Sequence, residues 1–385
     1  MLRLFTLVFL VLAYADMSNA DEIKFPGKFY TTELNTCSAL NEKDTFKNIS
    51  IVNTVKGLVG YDWPADHTAN SNSITVRHDN ITKPIKKMMT ATHQAIANNS
   101  TMEIKIAIEL LIDIAEADTL YNSIGPIELK SKPKCWQNND PFAPCAYHEY
   151  EFATGVFSNY MITALWLKDE LTKEEYKIVN RYIKKMYKKF LKPKQMKPHG
   201  PGIYQMANGG LSTLIYASWT NDKKLALKEI NYRLKVFDKK IFNDGYIDNN
   251  SFRGYRSQWY HSYGLNVVLG YVYIADLWGI TIPNKLQQKI VKASNLVNLA
   301  ITDKAKFRSR AKTFTGKTRN AINDKNKAIP HTHQMAIAID TLMLEVTGVI
   351  MLEDPLYLSK RKWHTVDGID DLIGFNPNCI KKKLN

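Results

Sequence analysis

Cysteine is scarce in this chain, which has four in 385 residues. There is no CxxC pair and no clustered Cys/His set of the kind that binds zinc, so we expect no metal site. The sequence also lacks a glycine-rich phosphate loop and a nucleophile-elbow motif. After the N-terminus, no apolar run reaches the roughly 18 to 20 residues of a membrane-spanning helix. These absences predict a protein without metal or other cofactor and without membrane insertion.

The N-terminus has the pattern of an export signal. Arg3 is the only early charge, the apolar run LFTLVFLVLAYA follows, and the small residues SNA precede Asp21. This order is typical of a secretory signal, and its apolar part is too short for an anchor. We predict that residues 1–20 are removed and that the mature protein is periplasmic or secreted.

The few cysteines fit an oxidising compartment. Cys135 and Cys145 bracket a loop that a disulfide would close, and Cys37 with Cys379 would join the two ends of the chain. The sequence leaves the connectivity open.

Positive charge dominates the composition, with a formal net charge of +15. Such a balance attracts polyanions over a long range. Outside the cytosol, acidic polysaccharide or anionic lipid is a more natural partner than nucleic acid, and we expect no nucleic acid and a monomeric chain. A compositional bias toward lysine would produce the same net charge without any partner.

Helical periodicity runs through most of the sequence, and strand alternation is nearly absent. Thr172 followed by Glu175 is a capping-box pattern at the start of one helix. Helices are predicted at about 83–98, 101–122, 149–170, 172–191, 207–219, 222–241, 256–278, 284–301 and 331–351. Lys-rich helices alternate with apolar ones, which indicates hairpins in two concentric layers. We predict an all-α fold, an incomplete (α/α) toroid or barrel of helical hairpins.

The predicted toroid occupies residues 83–385 as one main domain. Residues 21–82 contain few periodic runs, and we interpret them as a looser N-terminal segment that could form a lid over a cleft.

One segment combines charge and aromatic rings at the start of an apolar helix. Arg253, Arg256, Tyr260 and Tyr263 have the spacing of one helical face, and His261 lies among them. Arginines are unfavourable at the start of a buried helix, because they oppose its dipole and lose hydration. A bound carboxylate would offset both costs. The alternative is an aromatic core stripe whose arginines bond Asp244, Asp248 or a carbonyl.

The segment RSQWYHSYGL resembles a helix of the poly(mannuronate) alginate lyases, polysaccharide lyase family five. The preceding DGYIDNNSFRG is similar to the turn before that helix, and Asn208 has the family's separation from Arg256. The resemblance covers about residues 205–278. One position departs from the family, because Gly209 stands where a histidine follows the asparagine. His199, His148 and His261 are candidates to replace that histidine.

The resemblance implies β-elimination in a uronate polymer. Asn208 and Arg256 would neutralise the sugar carboxylate as negative charge develops, and Tyr263 would transfer the proton. A phenol has an ordinary pKa of about 10, so the base form of Tyr263 needs neighbouring cations, which Arg256 and Arg253 would supply. Arg253, Tyr260, His261 and His199 are expected to contact the substrate. The missing histidine favours mannuronate or glucuronate, whose C5 hydrogen and C4 oxygen lie on one face of the ring.

The expected function is therefore a secreted or periplasmic polysaccharide lyase acting on mannuronate-rich alginate or a glucuronan-like chain. Two alternatives remain open. A glycoside hydrolase on the same toroid would need a carboxylate pair, for which Glu149 and Glu151 are candidates. A non-catalytic protein would bind the polyanion without cleaving it.

Overall fold

The computed structural model describes residues 44–62, 78–123, 146–192, 203–248, 250–252 and 257–315. Its helices in chain order are α1 Ile49–Lys56, α2 Lys83–Ala97, α3 Thr101–Glu116, α4 Ala146–Leu167, α5 Lys173–Met186, α6 Ile203–Thr220, α7 Lys223–Lys240, α8 Ser257–Leu277, α9 Asn284–Thr302 and α10 Lys304–Thr315. Within these residues the one extended pairing is a bridge between Ile241 and Ile247. The predicted all-α class is confirmed. The helix predicted at 331–351, the export signal and all four cysteines lie outside the described residues.

Short turns with left-handed backbone connect the helices into hairpins. Asn99, Asn221 and Gly279 have φ values of 49°, 52° and 68°, and they follow α2, α6 and α8. A residue in this conformation ends a helix and reverses the chain, and asparagine and glycine adopt it most readily. The predicted capping box stands at the start of α5, where Thr172 and Glu175 each accept a hydrogen bond from the other's backbone N–H.

Burial separates the helices into an inner and an outer layer. From Gly264 to Ala275 every residue of α8 is buried, whereas the outer helix α5 buries Val179, Tyr182, Ile183 and Met186 only. Outer helices pack on inner ones through aromatic contacts, such as Tyr182 against Tyr160 and Phe237 against Tyr271. The two-layer toroid predicted from the sequence is confirmed.

The inner helices α2, α4, α6 and α8 all run in the same direction. His93 and Trp166, near the ends of α2 and α4, are in ring contact. Ser158 and Ser212 join α4 and α6 by a hydrogen bond between their hydroxyls. The starts of α6 and α8 are also joined, by hydrogen bonds of one asparagine, Asn250. One end of the toroid therefore collects the N-termini of its inner helices, as expected when each outer helix returns the chain to its starting side.

The N-terminal segment contributes to this body from residue 44 onward. In α1, Ile51, Val52 and Val55 belong to the main hydrophobic core. The Phe46 N–H donates to Glu103 on α3 over 2.9 Å. Of the segment that we interpret as a lid, 21–82, the stretches 21–43 and 63–77 lie outside the described residues, so the lid stays a prediction. No helix in the described parts of the chain has the length and apolarity needed to cross a membrane.

Candidate functional site

The residues expected to carry the chemistry fall at the end where α6 and α8 begin. Asn208 lies in the second turn of α6, and Tyr263 lies in the second turn of α8. Tyr260 and Tyr263 are half-buried. Arg253, Arg256 and His199 lie outside the described residues. The predicted helix start near 256 is confirmed, since α8 begins at Ser257.

A single buried side chain holds these two helix starts together. Asn250 is fully enclosed, and its Oδ1 accepts a hydrogen bond from the Ile203 N–H over 2.7 Å. Its Nδ2 donates to the Tyr260 carbonyl over 2.9 Å. Ile203 is the first residue of α6, and Tyr260 is in the first turn of α8. Asn250 thereby sets how the helix of Asn208 sits beside the helix of Tyr263.

Gly264 provides the space for this clamp. A Cβ at position 264 would come within 2.6 Å of Asn250 Nδ2 and 3.0 Å of its Cγ. These distances are far shorter than normal contacts, so any larger residue would displace the amide. The glycine directly after Tyr263 is therefore required by packing.

The next residue in the turn is fixed by a second chain of hydrogen bonds. The Ser251 hydroxyl accepts from the Ile247 N–H over 2.7 Å and lies 2.8 Å from Nδ1 of His261. Nε2 of His261 lies 2.8 Å from the Ala293 carbonyl on α9. The turn before α8, α8 itself and α9 are thus connected through one imidazole.

These contacts change the interpretation of His261. The sequence placed it among the substrate contacts, but its side chain is fully buried and both ring nitrogens bond to protein. Burial lowers the pKa of His261 to about 4, so the ring is neutral at pH 7. A ring in this position holds the turn in place and has no nitrogen left for a sugar.

The Asp-Gly turn is held against α9 as well. Gly245 has a φ of +90°, and a Cβ there would come within 2.5 Å of the Ala293 nitrogen. Arg310 pairs with Asp244 and lies over the Tyr246 ring, 4.8 Å from its centroid. Asp248 pairs with Lys240 over 2.6 Å. Both acids that the sequence offered as partners for the arginines of 253–256 thus have cation partners elsewhere.

The other histidine with a described side chain lies far from this end. His93 contacts Trp166, which is near the last turn of α4. The bond between Ser158 and Ser212 fixes the register of α4 and α6. It puts Trp166 level with the end of α6, about 18 Å along the axis from Asn208 at 1.5 Å per residue. His93 therefore does not replace the histidine missing at Gly209.

The scaffold residues were not among those predicted from the sequence. Asn250, Ser251 and Gly264 lie in or beside the segment that resembles the lyases, yet a polar turn and a helical glycine are common. Their roles depend on contacts with α6 and α9, which are distant in the sequence. Across the described residues, no group of three or more His, Cys, Asp or Glu side chains is arranged to hold a metal ion.

The fold and these paired helix starts define an (α/α) toroid with a candidate site at the end where its inner helices begin. No protein-family model matches the chain, and no curated protein matches it.

Solved structures of alginate lyase A1-III share the fold. The structure from Sphingomonas species A1 is 12% identical, with a TM-score of 0.58, covering 94% of this chain and 97% of that chain. A tyrosine-to-phenylalanine variant complexed with tetrasaccharide is 13% identical, with the same TM-score and coverage. A histidine-to-alanine variant in its apo form is 13% identical, with a TM-score of 0.55, covering 94% and 96%. The similarity to alginate lyases extends over nearly the whole chain, and at these identities it establishes the fold.

Proposed function

We propose that this protein is a polysaccharide lyase that cleaves an anionic uronate polymer by β-elimination. The single observation that carries the proposal is the Asn250 clamp. It joins the starts of the Asn208 and Tyr263 helices in a fold shared with alginate lyase A1-III. The signal-like residues 1–20 support an exported protein that acts on an extracellular or periplasmic polymer. We propose that it acts as a monomer.

In the proposed reaction Tyr263 transfers one proton. Its phenolate oxygen takes the C5 hydrogen of the sugar as H⁺, and the electrons of that bond form the C4–C5 double bond. The bond from C4 to the glycosidic oxygen breaks, and Tyr263 returns its proton to that oxygen. Asn208 and Arg256 stabilise the negative charge that develops on the carboxylate.

Neither of the two histidines with described side chains is placed to act as a second proton-transfer group. His261 is committed to Ser251 and Ala293, and His93 lies at the far end of the inner helices. In mannuronate and glucuronate the C5 hydrogen and C4 oxygen share one face, so Tyr263 reaches both. We therefore propose mannuronate-rich alginate or a glucuronan-like chain. Tyr260, Arg253, Arg256 and His199 are the proposed substrate contacts, and His261 is left out of this set.

The test is turnover of a defined panel of polymers. Mature protein is incubated with polymannuronate, polyguluronate, glucuronan and hyaluronan, and the absorbance of the unsaturated product is followed. We expect cleavage of polymannuronate or glucuronan. Tyr263→Phe should lower the rate at least about 100-fold with an unchanged melting temperature, because it removes the only proton carrier in the proposed reaction.

Tyr232 provides the matched control, since it is 50% exposed on the outer helix α7. Tyr232→Phe should keep full activity. If Tyr263→Phe is as active as Tyr232→Phe, Tyr263 is not the proton carrier. Chain shortening without the unsaturated product would indicate a hydrolase, and binding without shortening would indicate a non-catalytic protein.

A further inference from the structure

The positive charge of the protein is not spread evenly over the outer helices. On α5 and the turn that extends it, the exposed side chains at helical spacing are Lys173, Lys177, Arg181, Lys184, Lys188 and Lys192. On α7 they include Lys224, Lys228, Lys235 and Lys239. The outer helix α3 differs, because its exposed charges are Lys105, Glu109, Asp113 and Glu116. A uniform compositional bias toward lysine does not produce this separation, so the cations form a defined surface, here named the cationic face.

The acidic residues of α5 and α7 do not neutralise the cationic face. Glu174 and Glu175 are confined to the first turn of α5, where Glu174 pairs with Lys177 over 2.7 Å. On α7, Glu229 pairs with the buried Arg233, and Asp238 pairs with Lys289 of α9. From Lys173 to Lys192 the cations extend for about 28 Å at 1.5 Å per residue. This length suits an extended polyanion better than a small ion.

A pocket opens at one end of the cationic face, between α5 and the turn that joins α6 to α7. It has a volume of about 660 Å³, and its charged lining residues are Lys168, Lys184, Lys223 and one acid, Asp222. The indole of Trp219 donates to Asn180 over 3.1 Å, and Tyr176 stacks on it with ring centroids 5.2 Å apart. The wall is therefore held in place by the core, and its lining has three lysines to one acid.

The pocket is remote from the candidate site. Thr220, the last residue of α6, lines the pocket. Asn208 lies twelve residues earlier in the same helix, about 18 Å away along its axis. A ligand on the cationic face would therefore leave the proposed reaction centre free.

We propose that the cationic face, with the pocket at one end of it, is a second and non-catalytic binding surface for an acidic polysaccharide. Regularly spaced lysines suit the repeated carboxylates of such a chain, and Asn180, Thr220 and Asn221 of the pocket suit its hydroxyls. The choice of polysaccharide rests on the proposed function. By this surface the enzyme stays attached to a polymer while the site at the opposite end of α6 acts on it.

Other polyanions fit the surface less well. A lipid surface is bound best where apolar side chains insert beside the cations, and Tyr232 is the single large hydrophobic residue exposed on the described parts of α5 and α7. Single-stranded nucleic acid is bound on exposed aromatic rings. Trp219 lines the pocket, but it is 1% exposed and its ring is covered by Tyr176.

The test measures polymer binding separately from turnover. Lys184, Lys188, Lys224 and Lys228 are all changed to Gln in the full chain carrying Tyr263→Phe, which prevents degradation of the polymer. Affinity for polymannuronate is measured with excess mannuronate trisaccharide, which occupies the proposed cleft. We expect the affinity to fall about tenfold, since each of the four exposed charge contacts contributes a factor of about two. The salt dependence should also become shallower.

The control variant removes the same four charges elsewhere. Lys56, Lys105, Lys285 and Lys306 are exposed on other helices, and their change to Gln should alter the affinity less than about twofold. With Tyr263 intact, the cationic-face variant should keep wild-type kcat/KM on the trisaccharide and have a raised KM on the polymer. Equal affinity loss in both quadruple variants would overturn the proposal. Tighter binding to duplex DNA, or to vesicles of equal parts phosphatidylglycerol and phosphatidylcholine, than to polymannuronate would also overturn it.

The two proposals fail in different ways. If no polymer yields an unsaturated product, the lyase function is lost, but the binding difference between the two quadruple variants still reports on the cationic face. If turnover is observed and the quadruple variants bind alike, only the second surface is lost.

Discussion

The two ends of helix α6 differ in kind: buried hydrogen bonds fix the first, and exposed charge surrounds the second. At its first residue the backbone N–H is bonded to Asn250, which is fully buried beside the start of α8. At its last residue the helix reaches an open pocket among exposed lysines of the cationic face. The first end fixes the relative position of two helices through short buried contacts, as proton transfer requires. The second end presents charge without fixed geometry, which is sufficient for capture of a flexible polymer.

The largest expected effect is a loss of stability in acid, which comes from buried histidines and not from the charged surface. His93 and His261 are buried at opposite ends of the inner layer, and burial lowers the pKa of each to about 4. In the unfolded chain both histidines take up a proton near pH 6.5, so the free energy of unfolding keeps its full value above that pH. It should fall by about 3 kcal/mol for each histidine as the pH decreases to 4. Urea unfolding at pH 7, 6, 5 and 4 measures the loss.

Substitution of His93 tests how much of the acid destabilisation comes from that residue. His93 meets Trp166 edge-on with ring centroids 5.6 Å apart, so His93→Phe retains an aromatic ring there and removes the titration. The variant should lose stability with falling pH about half as steeply as the wild type. Equal slopes for the two proteins would contradict the pKa of His93 inferred from its burial.

The Asn250 clamp should give the next largest effect. Asn250→Ala removes both hydrogen bonds and leaves the Ile203 N–H and Tyr260 carbonyl buried without them, which costs about 3 kcal/mol. Lyase activity at a temperature where the variant stays folded should fall as well, because the two helix starts lose their register. Asn231 is exposed on α7, so Asn231→Ala should change stability by less than about 0.5 kcal/mol.

Activity decides what the clamp does. An Asn250→Ala variant that is less stable yet has wild-type kcat would reduce Asn250 to a stabilising residue. Asn250→Asp refines the result, because it retains an acceptor for Ile203 and loses the donor to Tyr260.

Replacing a glycine by alanine should destabilise the protein in one inner helix and stabilise it in another. In Gly264→Ala the new methyl group overlaps the Asn250 amide, and we expect a loss of about 2 kcal/mol. In Gly155→Ala on α4 nothing lies within 4 Å of the new Cβ, and the better helix propensity of alanine should add about 0.5 kcal/mol. Thermal unfolding of both variants measures the contrast. If Gly264→Ala leaves the free energy of unfolding unchanged, the Asn250 side chain can move aside without losing its stabilising contacts.

The helices could be predicted from the sequence because their signals are local. A period of 3.6 residues and the Thr172–Glu175 capping box depend on neighbours in the chain, and the observed elements follow them closely. Two helices were not predicted. Helix α1 is eight residues long and has too short a pattern to stand out, and α10 is mostly polar and begins two residues after α9 ends. The two-layer arrangement was also predictable, since Lys-rich and apolar helices alternate.

The contacts of the site could not be predicted in the same way. Asn250 reaches a backbone N–H that is 47 residues earlier, and His261 reaches a carbonyl 32 residues later. A histidine beside tyrosines and arginines has the composition of a binding site, whereas its burial is decided by the packing of α8 against α9. The cationic face was likewise visible as net charge only, because the sequence does not say which lysines share an exposed surface.

The smallest expected effect concerns stability at the cationic face. Lys188→Gln and Lys228→Gln, singly or together, should change the free energy of unfolding by less than about 0.5 kcal/mol. Both side chains are exposed, and neither has an ion pair within the described residues. Relief of repulsion among neighbouring lysines would make the change slightly stabilising. A loss above 1 kcal/mol would mean that these lysines support the fold, and the contrast between the two ends of α6 would then fail. Chemical denaturation at low and high salt decides between the two, because repulsion is screened by salt whereas a packing contribution is not.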